Sequence, residues 1–395
     1  MPDTNAPSNP FERLANLEQA QDAAAPGEPA VSPEAPSTDA AMPVPERPAA
    51  EAGGGSPERG ERPAGPVGLD IGTSNVVVAQ QRNGVAHFTS QLNAYFTIPA
   101  SKFSRRILQN NNVMFFESDE RFFIYGESAD SFANMFKTST QRPIHGGLLN
   151  AADKENLNVV QSVIKSLILK PKKFGETICF GVPGEPVDQR TPGAVTYHEQ
   201  VLKMFLRNMG YQAVSVNEGM AVVLAAMEDD EYTGIGISMG GGMCNVCLSY
   251  LSFPVITFSI QFAGDYIDAM AGRAVGEPAT KIKGIKETEL DLTRDPRDMI
   301  HTALHIYYEE VIAKLLKSLQ RVITASDKLP KIAKPIPVVL SGGTAMNGCH
   351  AKVAKLIDKI SLPIAISEVR LAPDPLHATA RGALIMAMTE AGEQA

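Results

Sequence analysis

The stretch VGLDIGTSNVVVAQQRNG, residues 67–84, decides the fold of this chain. Two β-rich runs flank the turn residues Gly72, Thr73, Ser74 and Asn75, which is the pattern of a β-hairpin. Closely spaced backbone N–H groups in such a turn, uncrowded because glycine lacks a Cβ atom, form a nest that suits an anion. The stretch therefore predicts a hairpin whose turn can hold a phosphate group.

A second hairpin pattern of the same kind lies in the second half of the chain. Residues 231–251 place Ser238 two residues before the glycine cluster Gly240, Gly241 and Gly242. Duplicated halves that face each other across a cleft would bring both turns to one ligand. Two opposed nests suit a polyphosphate, with carboxylates nearby to orient a hydrated Mg²⁺.

Helical and strand-like patterns alternate along the rest of the body, which is typical of α/β layers. Helical spacing covers residues 157–169, 198–211 and 300–323, and residues 214–227 read as a strand that runs into a helix. The stretch 337–348 is a buried strand that enters a third glycine turn, where a nucleoside could lie close to the backbone. The residues of that turn are Gly342, Gly343 and Thr344.

Composition separates the first 66 residues from the rest of the chain. The 395 residues include 36 basic and 44 acidic ones, and residues 1–66 hold 4 and 11 of these, so they carry −7 of the net charge of −8. The same segment holds 13 of the 28 prolines. Such a segment cannot bury enough apolar surface to offset its conformational entropy. We expect residues 1–66 to form a disordered acidic tail rich in proline and alanine.

The composition of the remaining 329 residues disfavours several classes of protein. The body is nearly neutral, whereas a nucleic-acid binder commonly carries a basic face. No apolar run reaches the ~20 residues of a membrane helix, and the N-terminus lacks the pattern of a signal peptide. Four cysteines in so long a chain do not make a disulfide framework. These patterns indicate a cytoplasmic protein of two domains without a nucleic-acid partner.

The three glycine turns, with Glu218 between the first two, resemble the motifs of the superfamily of actin, heat-shock chaperone and sugar kinase ATPases. The bacterial actins around MreB are the most similar members. VGLDIGTSN (67–75) is similar to the first phosphate motif, NEGMAVVLAA (217–226) to the first connecting helix, GIGISMGGGMCN (234–245) to the second phosphate motif, VVLSGGTAMNG (338–348) to the adenosine motif and DPLHATARGALIMA (374–387) to the closing helix.

Carried over residue by residue, this resemblance implies a site for ATP and Mg²⁺. Asp70 would hold a water on Mg²⁺, and Glu218 would position the attacking water. Glu277 and Lys281 resemble the acid–base pair that holds the ribose and the adenine, although by spacing alone they form an exposed i,i+4 ion pair. The other implied nucleotide contacts are Gly72, Thr73, Ser74, Asn75, Ser238, Gly240, Gly241, Gly242, Gly342, Gly343 and Thr344.

Three sites depart from the motifs of the family, one of which is the pair Met243 and Cys244, where a polar pair usually follows the glycines. The second phosphate motif usually begins with Asp, a second anchor for hydrated Mg²⁺, where this chain has Ser238. Because hydrolysis relies on a well-placed metal, we expect nucleotide binding with slow or absent hydrolysis. Gly219 replaces the usual proline after Glu218, which predicts a loosened start of that helix.

The resemblance also implies an actin-like ATPase fold, with two duplicated α/β domains around a nucleotide cleft. Domain I would comprise residues 67–228 and 376–395, with a small inserted subdomain at about 92–147. Domain II would comprise residues 229–375, with a reduced small subdomain at about 284–325. The second subdomain is reduced because too few residues separate the neighbouring helical patterns for a full sheet.

By this resemblance the chain is an ATP-binding cytoskeletal protein that polymerises with itself into filaments, either free in the cytoplasm or along a membrane. The alternative is an actin-like ATPase that does not polymerise and docks a membrane-associated complex, as proteins of the PilM or EutJ type do. Ser238 and the reduced subdomain favour this alternative. Phe11, Leu14 and Leu17 have helical spacing in the tail and could contact such a partner, although short isolated helices are marginal in water.

Two further patterns point to other chemistry but lack supporting residues. A sugar kinase would need a catalytic base, for which Asp188 or His198 could be nominated, but no constellation around them supports the choice. Cys244 and Cys247 form a CxxC pattern on a predicted strand. Positions i and i+3 of a strand point to opposite faces, which disfavours a shared metal ion.

Overall fold

The computed structural model of the protein describes residues 60–136, 139–187, 193–327 and 329–392. Most of the predicted tail, and Asp188, lie outside the described residues. None of the described helices is long and apolar enough to cross a membrane. The described strands are β1 (Val67–Ile71), β2 (Asn75–Arg82), β3 (Val85–Leu92), β4 (Tyr95–Pro99), β5 (Phe115–Ser118), β6 (Arg121–Tyr125), β7 (Thr177–Val182), β8 (Gln212–Asn217), β9 (Gly234–Met239), β10 (Cys244–Tyr250), β11 (Phe253–Ile260), β12 (Ile336–Ser341) and β13 (Ile366–Leu371).

The helices follow the predicted patterns closely, with ends shifted by a few residues. The pattern at 157–169 forms a helix from Lys154 to Leu167, and the pattern at 300–323 forms the longest described helix. The described α-helices are α1 (Lys102–Asn110), α2 (Glu127–Met135), α3 (Lys154–Leu167), α4 (Ala194–Asn208), α5 (Glu218–Ala226), α6 (Gly264–Val275), α7 (Ala279–Thr288), α8 (Met299–Ala325), α9 (Cys349–Ile357) and α10 (Ala378–Gly392).

Two five-stranded sheets share one topology, as the duplicated hairpin patterns predict. The first sheet has the order β3-β2-β1-β7-β8 and the second has the order β11-β10-β9-β12-β13. In each sheet the first two neighbouring pairs are antiparallel and the last two are parallel. Each hairpin turn therefore lies at the edge where the parallel strands of its sheet end, which is where open α/β sheets bind ligands.

Helices α5 and α10 pack closely against each other and against the sheets. A Cβ atom on Gly382 of α10 would lie 1.9 Å from the carbonyl oxygen of Ala221 of α5. A Cβ atom on Gly68 of β1 would lie 2.2 Å from the carbonyl oxygen of Ala380. Such approaches exclude every side chain larger than that of glycine. The glycines thus allow the closing helix to reach both the first sheet and the connecting helix.

Gly219 serves packing, and the start of α5 is not loosened as the sequence predicted. A Cβ atom on Gly219 would lie 2.5 Å from the backbone nitrogen of Cys247 in β10. The helix start is held by Asn217, whose side-chain oxygen accepts hydrogen bonds from the backbone nitrogens of Gly219 at 3.0 Å and Met220 at 3.2 Å. An asparagine at this position is a favourable helix cap.

A three-stranded antiparallel sheet of order β4-β6-β5 lies between β3 and β7 in the sequence, together with α1 and α2. Its separate small core includes Leu108, Phe115, Phe122 and Ile124, all almost fully buried. In the second half, the ten residues between α7 and α8 form no strand.

The last residues of the predicted tail pack on the body rather than extending from it. Glu61 donates its backbone N–H to the carbonyl of Leu167 at 3.1 Å and accepts from the N–H of Leu169 at 2.8 Å. These bonds join the chain near Glu61 to the end of α3. The pairing could not be predicted from the sequence because the segment 60–66 has only seven residues and carries no periodic pattern.

Candidate nucleotide site

A cavity of about 490 Å³ lies among the three glycine turns, a size typical of small-molecule sites. The structure brings twelve of the residues predicted for ATP and Mg²⁺ to its lining. They are Asp70, Gly72, Thr73, Ser74, Asn75, Glu218, Ser238, Gly240, Gly241, Gly342, Gly343 and Thr344.

The turn between β1 and β2 is fixed by backbone and side-chain hydrogen bonds. Gly72 donates its N–H to the carbonyl of Asn75 at 2.9 Å. The side chain of Asn93, which is fully buried, donates to the carbonyl of Gly72 at 2.9 Å, and its backbone N–H donates to the carbonyl of Ser74 at 2.9 Å. Asn93 thus fixes the predicted phosphate turn through two of its carbonyl groups, a role that could not be predicted from the sequence.

The turn between β9 and β10 is held in the same way from the second half. Gly240 donates to the carbonyl of Met243 at 3.0 Å, and its own carbonyl accepts from the N–H of Gly264 at 3.1 Å and the hydroxyl of Thr344 at 2.7 Å. Thr344 therefore joins the predicted adenosine turn to the second phosphate turn. These hydrogen bonds tie the two walls of the cavity to the surrounding fold.

Gly242 lies beside the cavity, not among the residues that line it. A Cβ atom on Gly242 would lie 2.4 Å from the backbone nitrogen of Gly147 and 2.7 Å from the hydroxyl oxygen of Thr73. The second phosphate turn therefore touches both the first phosphate turn and the 142–147 segment. Gly242 serves this close approach of the two halves.

Gly342 requires the backbone freedom of glycine more than any other residue of the site. Its φ of +90° is rarely adopted by other residues, and a Cβ atom would lie 2.3 Å from the carbonyl oxygen of Met239. The N–H of Gly342 donates to the carbonyl of Pro375 at 2.8 Å. The third turn is thereby tied both to β9 and to the segment that leads into α10.

Two carboxylates, Asp70 and Glu218, share the floor of the cavity. One oxygen of Glu218 accepts hydrogen bonds from the side-chain amide of Asn245 at 2.8 Å and the hydroxyl of Ser238 at 3.2 Å. Burial raises the pKa of Glu218, although these two hydrogen bonds work against that rise. Burial, and next the charge of Glu218, raise the pKa of Asp70 well above its usual range. A cation bound between these two carboxylates would lower both pKa values.

The site fits hydrated Mg²⁺ in its donor chemistry. Asp70, Glu218, Ser238 and Thr73 offer the carboxylate and hydroxyl oxygens that this hard cation prefers. In the described part of the chain no three acidic, histidine or cysteine side chains form a metal cluster. Mg²⁺ commonly keeps several waters and takes phosphate ligands, so it does not need such a cluster.

Ser238 occupies the position at which the similar phosphate motifs usually have Asp, and its hydroxyl contacts Glu218. It donates to Glu218, and Asn245 joins the same carboxylate to the backbone N–H of Gly184 at 3.0 Å. An Asp at position 238 would instead place a third negative charge beside Asp70 and Glu218. Asn245 closes the predicted second phosphate motif, but its contact with Glu218 could not be read from the sequence.

Charged residues of α6 and α7 form a part of the site that the sequence analysis missed. Lys286 donates to the carboxylate of Asp268 at 2.8 Å and to the carbonyl of Gly264 at 3.2 Å, with both side chains almost fully buried. Lys283 also lines the cavity, and burial, followed by the charge of Arg142, lowers its pKa. Asp265, Asp268 and Glu287 line the cavity beside these two lysines, so this wall carries charges of both signs.

Arg142 and Asp265 join the two halves beside the second phosphate turn. The guanidinium group donates to both carboxylate oxygens, at 2.8 and 3.1 Å, across 123 residues of sequence. A Cβ atom on Gly241 would lie 3.1 Å from Asp265, 3.1 Å from the hydroxyl of Ser74 and 3.3 Å from Arg142. The ion pair thus lies where the two phosphate turns meet.

Glu277 and Lys281 are not brought to the cavity. They form an i,i+4 ion pair of 2.7 Å on the surface, with Glu277 preceding α7. The pair on α7 that lines the cavity is Lys283 with Glu287, whose charged atoms lie 3.7 Å apart. Both pairs have i,i+4 spacing, so spacing alone could not decide which pair faces inward.

The cysteines and His198 lie in apolar cores. The thiol of Cys244 donates to the carbonyl of Phe262, while Cys247 lies 3.9 Å from the sulfur of Met220. Burial raises the pKa of all four cysteines. Burial also lowers the pKa of His198 to about 4, and its imidazole accepts from the N–H of Leu149 at 3.2 Å.

Comparison with known proteins places this geometry in a family. Residues 66–387 match the Volactin family. The structure is similar to that of the MamK double helical filament, with 16% identity, a TM-score of 0.62 and coverage of 82% of this chain and 98% of MamK. It is also similar to MreB5 of Spiroplasma citri bound to AMPPNP, with 17% identity, a TM-score of 0.59 and coverage of 83% and 97%. The curated proteins include no match.

These similarities confirm the predicted resemblance to the actin superfamily at the level of the fold. The structural similarity covers almost the whole lengths of MamK and MreB5, so it is not limited to one domain. The duplicated sheets and the glycine turns at their ligand edges are consistent with it. The chain has the actin-like α/β fold and belongs to the Volactin family.

Proposed function

We propose that the protein binds ATP with Mg²⁺ in the cavity and assembles with itself into filaments controlled by that nucleotide. The observation that carries the proposal is the placement of two glycine turns from duplicated sheets against one cavity, beside Asp70 and Glu218. Similar solved structures include a MamK filament and MreB5 bound to AMPPNP or ADP, which supports both parts of the proposal.

The two phosphate turns would hold the β- and γ-phosphates through backbone N–H groups, as anion nests do. Asp70 would hold water on Mg²⁺, and Glu218 would hold the attacking water. The third turn, with Gly342 and Gly343, would lie against the nucleoside. Lys283 and Glu287 replace Glu277 and Lys281 as the proposed contacts to the ribose, because they line the cavity.

Hydrolysis should be slow relative to binding. Binding depends mainly on backbone groups, which are the same whether position 238 holds Ser or Asp. Catalysis depends on the charge and position of the metal, and Ser238 contributes no charge. Glu218 is also engaged by two hydrogen-bond donors, so its carboxylate must position water while it keeps Asn245 and Ser238 satisfied.

Nucleotide-dependent assembly can be tested on the full chain by sedimentation and negative-stain electron microscopy. Protein is compared without nucleotide, with Mg-ADP and with Mg-AMPPNP over a range of protein concentrations. The proposal predicts ordered filaments whose critical concentration depends on the nucleotide. Monomers at every concentration, with the nucleotide bound, would instead favour the alternative of a docking ATPase that does not polymerise.

A further inference from the structure

Helix α1 presents an unpartnered face on the three-stranded sheet of the first half. Phe103 and Ile107, four residues apart, are 77% and 40% exposed, although both are large and apolar. Lys102 and Arg106 lie next to them on the same side of the helix, also exposed, and make no ion pair within the described residues. The opposite side carries Leu108, which is buried in the small core. We call this apolar and basic surface the α1 face.

A second unpartnered surface lies in the other half of the molecule, on the turn between β10 and β11. Leu251 and Phe253 are 47% and 74% exposed there. The adjacent turn after α5 exposes three carboxylates that make no ion pair within the described residues. We call this surface the β10–β11 face, and its charged residues are Glu228, Asp229 and Glu231.

Hydrogen bonds hold the two turns of the β10–β11 face together. The N–H of Leu251 donates to the hydroxyl of Thr233 at 2.9 Å, and the N–H of Ser252 donates to the carbonyl of Tyr232 at 3.4 Å. The acidic and apolar residues thus form one continuous surface. Its chemistry is complementary to that of the α1 face: both offer exposed apolar side chains, and their charges are opposite.

The β10–β11 turn has a backbone conformation that Leu and Ser rarely adopt. Leu251 and Ser252 have φ values of +48° and +69°, and a hairpin turn of this kind prefers Asn followed by Gly. The duplicated hairpin between β2 and β3 has that pair, Asn83 and Gly84, at φ values of +51° and +79°. Residues strained in this way often serve a function.

The two faces lie at different places relative to the cavity. The β10–β11 turn is separated from the second phosphate turn by the seven residues of β10, or roughly 20 Å of strand. Helix α1 follows the far end of β4, which starts beside the first phosphate turn and belongs to the first half. No hydrogen bond or ion pair joins the two faces within the described residues. Within the described part of the chain, each face is therefore open to contact a second copy.

We propose that the α1 face of one copy of this chain binds the β10–β11 face of a second copy. The inference rests on the proposed function, which it deepens by naming the contact of the polymer. Because the two faces differ, the contact is heterologous and each added subunit leaves one free face of each kind. Repetition of this contact makes an open filament wherever the rotation between copies does not close into a ring.

Charge exchange between the faces tests this contact in the full chain. The variant Lys102→Glu/Arg106→Glu and the variant Glu228→Lys/Glu231→Lys should each raise the critical concentration for assembly at least tenfold. The variant that combines all four substitutions should restore assembly, because it reverses the charge of both faces together. Nucleotide affinity of the monomer, measured below the native critical concentration, should stay within twofold of the native value in all three, since none of these residues lines the cavity.

A second variant separates assembly from folding. Leu251→Asn/Ser252→Gly copies the duplicated turn, so it should keep or raise the melting temperature while it weakens assembly at least tenfold. Met204→Ser is the matched control, since Met204 is 46% exposed on the outer side of α4 and belongs to neither face. This control should assemble as the native protein does.

The outcomes distinguish the inference from the proposed function. Native protein that never polymerises refutes the filament function and the contact together. If the native protein forms filaments but the charge-reversal variants polymerise normally, the contact alone is refuted. The same holds if combining all four substitutions does not restore assembly. If native protein instead sediments with vesicles of anionic lipid, and Phe103→Ser/Ile107→Ser abolishes only that binding, the α1 face is a membrane contact and the inference is wrong.

Discussion

A methyl group added to the second phosphate turn should weaken nucleotide binding without weakening the fold. The Cβ atom of Gly240→Ala would meet only the carbonyl oxygen of Met243, at 3.5 Å, which is ordinary van der Waals contact. Gly240 does not require a positive φ, so alanine can adopt its backbone conformation. The added atom would occupy space at the cavity wall where a phosphate must approach the backbone.

The expected size of each effect follows from these contacts. Loss of one charge-assisted hydrogen bond to phosphate costs about 1.5–3 kcal/mol, which raises the Kd about tenfold to a hundredfold. The free energy of unfolding should change by less than about 0.5 kcal/mol, or rise slightly, because alanine restricts the unfolded chain. Gly342→Ala should behave differently, because its clash at 2.3 Å and its φ of +90° affect the folded backbone itself.

The assay is the fluorescence of a labelled ATP analogue titrated with native protein and with each variant, alongside thermal unfolding without nucleotide. Gly284→Ala serves as the control, because Gly284 lies within α7 and its Cβ would meet nothing within 4 Å. This control should stabilise the helix by about 0.5–1 kcal/mol and leave the Kd unchanged. Native affinity in Gly240→Ala, with a normal melting curve, would show that phosphate does not lie against this turn.

Three further variants test the charged groups of the cavity. The pKa values of Asp70 and Glu218 are raised in the folded protein, so the folded state binds more protons than the unfolded state does. The contribution of these two groups to stability therefore falls as the pH rises from the ordinary carboxyl range through the raised values. Asp70→Asn should therefore flatten the dependence of the melting temperature on pH and raise stability at neutral pH by about 1 kcal/mol, while Mg²⁺-dependent ATP binding is lost; an unchanged pH profile would contradict this. Glu218→Gln keeps an oxygen for Asn245, so ATP binding should stay within twofold while phosphate release slows at least tenfold; unchanged turnover would show that Glu218 does not position water. Lys286→Met leaves Asp268 buried without its partner and should cost about 3 kcal/mol in urea unfolding; a loss below about 1 kcal/mol would mean that water enters this pair.

Local patterns in the sequence were sufficient to predict the architecture. The hairpin at residues 67–84 and the strands before the later glycine turns are coded by short apolar runs and by glycine, so they form where predicted. The repeated order of the two sheets follows from the duplication of those patterns. The position of Glu218 at the start of a helix was also local information, because Asn217 is a favourable cap.

Contacts between distant segments could not be predicted from such patterns. Arg142 and Asp265 are 123 residues apart, and neither belongs to a motif that names its partner. Which of the pairs Glu277–Lys281 and Lys283–Glu287 reaches the cavity depends on how α7 and the turn before it pack, and both pairs have the same spacing. The pairing of Glu61 with the end of α3 depends on tertiary contact alone.

Calorimetric titration of the purified full chain with ATP, with and without Mg²⁺, tests the central claim most directly. The account predicts saturable binding of one nucleotide per chain that Mg²⁺ strengthens and that Asp70→Asn makes insensitive to Mg²⁺. Absence of binding at millimolar ATP from native protein with a normal melting curve would contradict it, since the two phosphate turns would then not form a nucleotide site.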